Sequence, residues 1–180
     1  LGARIMPSLD STYDGVILLG HHGKAGTMNG FLDHTFSSHQ IFDYTINDIS
    51  VGELTIEAAY AGHYNVPVIL VSGDKATSLE TKSSLGGEVE TVAVKEGIGR
   101  NKAKCLSVDL AHSLLVGGIG KALEKSGDLK PYKIDLPAKI QRVYYRSDMC
   151  EPFLDHAGVV QVDSRTIYKM IDSQKDIHNW

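Results

Sequence analysis

Cysteine, long apolar runs and any excess of positive charge are all scarce in this 180-residue chain, and each scarcity removes a class of protein. Its two cysteines, Cys105 and Cys150, are too few for a disulfide framework and match no zinc-knuckle spacing, so a reducing, cytoplasmic setting is expected. Uninterrupted apolar runs reach only from Gly15 to Gly20 and from Val66 to Val71. A membrane-spanning helix needs roughly 20 such residues, so no membrane span is expected. Eighteen Lys and Arg against 22 Asp and Glu give a formal charge of −4, with no basic block to neutralise a phosphate backbone. Nucleic acid is therefore not an expected partner. The opening Leu1-Gly-Ala-Arg-Ile-Met-Pro7 has neither a basic n-region nor an apolar h-region, and it is not read as a signal peptide.

What is present is ordinary for a globular chain: 42% hydrophobic and 22% charged residues, enough to build one core of the α/β kind. The aliphatic stretch Asp14-Gly-Val-Ile-Leu-Leu-Gly20 reads as a strand buried on both faces. A long ordered loop follows from His21 to Ser38, and loops of that length inside compact domains are usually functional. Gln40 to Ile46 alternates as a strand, Asn47-Asp48 signals a turn, and Ser50 is placed to cap a helix over Val51 to Tyr64. Val66 to Gly73 is a second buried strand, followed by a polar helix over Asp74 to Ser84. This alternation predicts a mostly parallel sheet covered by helices in three layers.

Glu88 to Lys95 reads as an outer strand, and Ser107 caps a helix striped by Leu110, Leu114, Leu115 and Leu123 and ending near Gly127. Beyond Pro131 the pattern is a strand over Ile134 to Tyr145, a helical piece at Pro152 to His156, a strand over Val159 to Val162 and a final helix from Ser164. Residues 1–130 are thus assigned to an α/β metal-site portion, and residues 131–180 to an α+β portion packed on the same core.

Eight histidines are many for this length, and four of them fall between His21 and His39. Imidazole and carboxylate are the usual ligands of hydrolytic zinc, and a histidine just past a buried strand is held on rigid backbone at the mouth of the sheet. His22 and Glu53 therefore form a candidate metal-ligand pair, and His34, in the same loop, could shuttle protons. Composition alone leaves plainer alternatives standing, with His21, His22 and His34 as loop residues and Glu53 as a favourable charge near a helix N-terminus. The Lys95, Arg100 and Lys104 group is either a solvated basic turn or a site for a substrate carboxylate or phosphate. Gly97-Ile-Gly99 lacks the strand-to-helix context of a dinucleotide loop. Cys105 lies too far from His112 along a helix to form a thiol dyad, and it is expected to be packed.

Five ordered segments carry a resemblance: Leu19-Gly-His-His-Gly-Lys-Ala-Gly-Thr27, Asp33-His-Thr-Phe-Ser-Ser38, Thr45-Ile-Asn-Asp-Ile-Ser-Val-Gly-Glu-Leu54, Ala61 through Asp74, and Val94 through Ser107. Together they resemble the D-aminopeptidase family of self-compartmentalising zinc aminopeptidases, over roughly the first two-thirds of the chain. The resemblance implies hydrolysis of the N-terminal residue of short peptides by a metal-activated water, a dinuclear zinc site and a ring-shaped homo-oligomer. His22 and Glu53 then match the family's metal ligands, and His34 matches its catalytic histidine. The family's Asp-x-Glu-Gly strand and a further ligating histidine have no counterpart here, so the chain is expected to match the middle and C-terminal part of a family member. Two protein ligands would leave zinc under-coordinated. The alternative is a catalytically incomplete unit serving in oligomerisation or peptide binding.

Overall fold

The computed structural model describes residues 5–180, so Leu1 to Arg4, which belong to the opening stretch read above for a leader, lie outside it. In chain order the elements are β1 (Val16–His21), β2 (Ile41–Ile46), β3 (Ile49–Ser50), α1 (Glu53–His63), β4 (Val68–Asp74) and α2 (Lys75–Leu85). There follow β5 (Glu90–Gly99), β6 (Lys102–Cys105), α3 (Val108–Lys125), β7 (Ala138–Tyr144), β8 (Val159–Gln161) and β9 (Thr166–Ile171).

Among the described residues the strands form two sheets. In the first, ordered β1-β4-β5-β6, β1, β4 and β5 run parallel and β6 returns antiparallel. The second, β3-β2-β7-β9-β8, is antiparallel throughout and joins strands from before and after residue 131. Helix α1 lies between them. A helix that is apolar on all sides must be covered on all sides, and α1 buries Leu54, Ile56, Ala58, Ala59, Tyr60 and Ala61. Leu54 and Ala58 pack with Val68 and Val71 of the parallel sheet and with Val89 just before β5, whereas Ile56, Ala59 and Tyr60 pack with Ile46, Ile140 and Ile167 of the antiparallel one. Mixed α/β architecture with helices covering a mostly parallel sheet is therefore present, and the antiparallel sheet completes the layers.

Several local expectations differ from what is seen. β4 is buried along its whole length, but β1 is the edge strand of its sheet and exposes Ile17 and Leu19. β2 leaves the parallel sheet to pair with β7. Ser50 does not cap α1: Gly52 occupies that position, and the Ser50 hydroxyl donates to Asp43 at 2.6 Å. Cys105 closes β6 and is exposed, rather than packed at the start of a helix. The final helix predicted from Ser164 is strand β9. Thr166, Ile167 and Ile171 are β-branched and buried, Ile167 and Ile171 fill the core face, and Asp163 accepts from the Arg165 N–H and the Thr166 hydroxyl, closing a turn between β8 and β9.

Candidate metal centre

Strands β1 and β4 end side by side, so the residues after β1 sit at the carboxyl edge of the parallel sheet, where α/β folds place their sites. His22 is the first residue beyond β1, and Glu53 is the first residue of α1. Between them the 21–38 loop folds back on itself. The His34 N–H donates to the Gly23 carbonyl, the Ala25 N–H to Thr35 Oγ1 and the Gly26 N–H to Asp33 Oδ2. This doubling back stacks the His34 ring on the His22 ring, with centroids 3.8 Å apart.

The structure thus brings His22, His34 and Glu53 into one group, their nearest ligand atoms all within 4.8 Å of one another. The orientation of both rings is decided by their Nδ1 atoms. A carbonyl oxygen only accepts, so the His22 Nδ1 facing Gly23 O at 3.1 Å and the His34 Nδ1 facing Leu32 O at 2.7 Å must both carry the proton. In the neutral ring each Nε2 is then a bare lone pair. The two Nε2 atoms lie 3.9 Å and 3.8 Å from one carboxylate oxygen, Glu53 Oε1. Burial pulls the His22 pKa below its ordinary value, which favours the neutral, ligating form. Two Nε2 lone pairs and a carboxylate, part-buried and oriented from behind by backbone carbonyls, are a donor set that fits zinc.

The backbone pays for this geometry in strain. Leu32 and Phe36 both adopt left-handed φ, 56° and 57°, a conformation costing roughly 1–2 kcal/mol for a residue with a side chain. Both touch the centre: the Leu32 carbonyl accepts from His34, and the Phe36 N–H donates to Glu53 Oε1 at 2.5 Å. Strain concentrated at such contacts is the pattern of a functional loop.

Other supports were not visible as site residues in the sequence. His21, mostly buried, donates from Nδ1 to the His22 carbonyl and pairs through Nε2 with Glu57 Oε2 at 3.0 Å. Burial lowers its pKa, but the Glu57 hydrogen bond and charge outweigh that and hold it above the ordinary histidine value. Glu57 lies one helical turn beyond Glu53, so the i, i+4 spacing was the available signal. Arg100, expected in a basic turn, pairs with Asp33 Oδ1 at 2.9 Å across 67 residues. Lys95 lies over the Phe31 ring, and the Phe31 N–H donates to the buried Asp74. No local pattern announces contacts of that range.

Comparison with known proteins identifies the family of the chain. A family model described as D-aminopeptidase (peptidase M55) matches residues 3–180. A D-aminopeptidase of Bacillus subtilis (strain 168) is 37% identical over 127 residues, which is 71% of this chain and 45% of that protein. The solved structure of the Zn-dependent D-aminopeptidase DppA from Bacillus subtilis, a self-compartmentalizing protease, superposes with a TM-score of 0.89 at 28% identity. That superposition covers 96% of this chain and 62% of the DppA chain, so the present chain spans less than two-thirds of either relative. With its His22, His34 and Glu53 grouped at the sheet edge and the family model matched from residue 3 to residue 180, the chain belongs to the D-aminopeptidase family.

Proposed function

We propose that this chain carries the metal centre of a zinc-dependent aminopeptidase that removes the N-terminal residue of short peptides, D-residue peptides among them. The observation that carries the reading is the convergence of the two Nε2 atoms on Glu53, enforced by the Gly23 and Leu32 carbonyls. Zinc bound by these residues would supply Lewis acidity and an activated water near neutral pH. His22 and Glu53 are the proposed ligands. Glu53 is held against the loop by the Phe36 N–H, which keeps its carboxylate turned toward the rings. His34, with the most exposed side chain of the three, is the proposed proton carrier to the leaving amine.

A second reading has its own support. His34 Nε2 stands as close to Glu53 as His22 Nε2 does, and His34 as a third ligand would complete the His₂Glu set of hydrolytic zinc sites. The dinuclear site implied by the family resemblance would need ligands beyond these three.

The relative described as self-compartmentalizing supports a homo-oligomer here as well, and so do the exposed Leu19 of β1 and the exposed Val108, Val116 and Leu123 of α3. A cytoplasmic location belongs to the same proposal, supported by the free thiols of Cys105 and Cys150.

Zinc titration by calorimetry, followed by hydrolysis assays on short D- and L-peptides with free or acetylated N-termini, tests the reading. At least one zinc per chain and cleavage of free-amine peptides alone are expected. A folded chain that takes up no zinc refutes it. For the assembly, light scattering that returns a mass near 19.6 kDa would refute the oligomer.

A further inference from the structure

Helix α2 carries a carboxylate with no part in that mechanism. Glu80 Oε2 accepts the Lys24 N–H at 2.8 Å, a contact across 56 residues. Its other oxygen, Oε1, is shut off from solvent and has no hydrogen-bond partner. That oxygen lies against Gly52, where any Cβ would collide with it and would also come within 2.8 Å of Lys24 Cβ. Lys24 stands two residues after His22, and Gly52 stands immediately before Glu53. One part-buried carboxylate, its Oε1 closed off from solvent, therefore sits where the two ligand-bearing segments meet.

Such a group is costly to keep. Burial pushes the Glu80 carboxyl above the usual carboxylate range, against the pull of the Lys24 N–H and ammonium. An unpartnered buried oxygen calls for a reason. The cavity of about 590 Å³ beside it, bordered by Lys24, Ser50, Thr55 and Leu79, does not supply one, because Oε1 is sealed from solvent and so from anything the cavity admits. The reason lies on the side facing the backbone. Lys24 is also tied through its ammonium to Ser50 Oγ at 2.6 Å, and Ser50 to Asp43, so the two segments stay joined without Glu80. What Glu80 adds is spacing: its carboxylate fills the gap left by the missing Cβ of Gly52 while holding the Lys24 amide.

We propose that Glu80 is a positioning residue, a wedge between Lys24 and Gly52 that sets the separation of His22 and Glu53 and thereby the metal affinity of the centre. The proposal rests on the metal-centre reading given above. Groups that orient ligands from behind typically change metal affinity by about 10–100-fold when removed, and that is the scale expected here.

The test uses the full chain and measures the zinc Kd by competition with a chromophoric chelator, with the visible spectrum of the Co²⁺-loaded protein reporting the ligand geometry. Glu80→Ala should weaken zinc binding by roughly tenfold or more and alter the Co²⁺ bands. Glu80→Gln, which keeps an oxygen for the Lys24 N–H and the same volume, should stay within about threefold of wild type. Gly52→Ala should weaken binding as Glu80→Ala does, but should cost much less when Glu80 is already Ala, because the methyl then enters vacated space. Leu79→Ala, exposed on the same helix, should leave the Kd unchanged.

Wild-type affinity in Glu80→Ala or Gly52→Ala, strict additivity of the pair, or equal weakening by Leu79→Ala would overturn the proposal. Hydrogen exchange on the metal-free chain separates this inference from the metal reading. Glu80→Ala, and not Glu80→Gln, should speed exchange of the Lys24 amide, and no difference between them sinks the wedge. Should the wild type bind no zinc, the metal reading falls, and with it the claim on affinity, while exchange still decides whether Glu80 holds the loop.

Discussion

Replacing Asp74 by Ala should destabilise the fold by about 3 kcal/mol and loosen the metal centre from a distance. Asp74 is fully buried and ends β4. Its Oδ1 accepts the N–H and the hydroxyl of Thr77, each at 2.7 Å, which caps α2, and its Oδ2 accepts the Phe31 N–H at 2.6 Å. Loss of an N-cap costs about 1 kcal/mol. An orphaned, part-buried N–H at Phe31 adds roughly 1–3 kcal/mol, and the sum is about 3 kcal/mol. For a chain of this size that corresponds to a fall in Tm of roughly 6–12 °C. Asp74→Asn should be little better, since the amide nitrogen must face either the Phe31 or the Thr77 N–H, donor against donor. Urea unfolding of the metal-free proteins gives the energy, and hydrogen exchange at Phe31 gives its location. A loss below about 1 kcal/mol, or full stability in the Asn variant, would refute the claim that Asp74 holds the loop through two acceptor oxygens.

Four further outcomes are expected. His22→Ala and Glu53→Gln should each weaken zinc binding by roughly 100-fold or more in chelator competition, above the range for groups that only orient ligands. With His34→Ala, kcat on a short peptide should fall by roughly 100-fold while zinc content stays intact; loss of zinc instead makes His34 a ligand. Gly62→Ala should destabilise despite a gain of about 1 kcal/mol in helix propensity, because the methyl would collide with the Tyr132 carbonyl and overpacking costs about 1–3 kcal/mol or more, read as a lower urea midpoint. The stability of Glu80→Gln relative to wild type should rise between pH 4 and pH 7: the folded protein raises the Glu80 pKa, so its contribution is full below the unfolded value near ~4.3 and is lost as the part-buried carboxyl ionises. Urea midpoints of the two proteins across that range check the sign.

Much of the fold was legible because it rests on local rules. The apolar run of β4, the Ser107 cap of α3 and the polar stretch of α2 are short-range signals, and these elements lie where the pattern placed them. β9 was misread because Thr166 to Ile171 suits either state on pattern alone, and the choice fell to pairing with β7 and β8. The burial of β1 was misjudged for the same kind of reason: an aliphatic run does not reveal whether its strand is central or at an edge.

In the candidate site, residue chemistry offered His22 and Glu53 as a ligand pair and His34 as a proton carrier beside plainer loop and helix-terminus readings, and the family resemblance favoured the site reading. Neither could bring them together. The doubled loop, the carbonyls that turn both Nε2 atoms toward Glu53, the Asp33–Arg100 pair and the Glu80 wedge join groups up to 67 residues apart. Local sequence determines which side chains can ligate and which segments become strands or helices, since propensity and capping act within a few residues. Whether those side chains converge depends on strand order and loop closure, which only the packed chain decides.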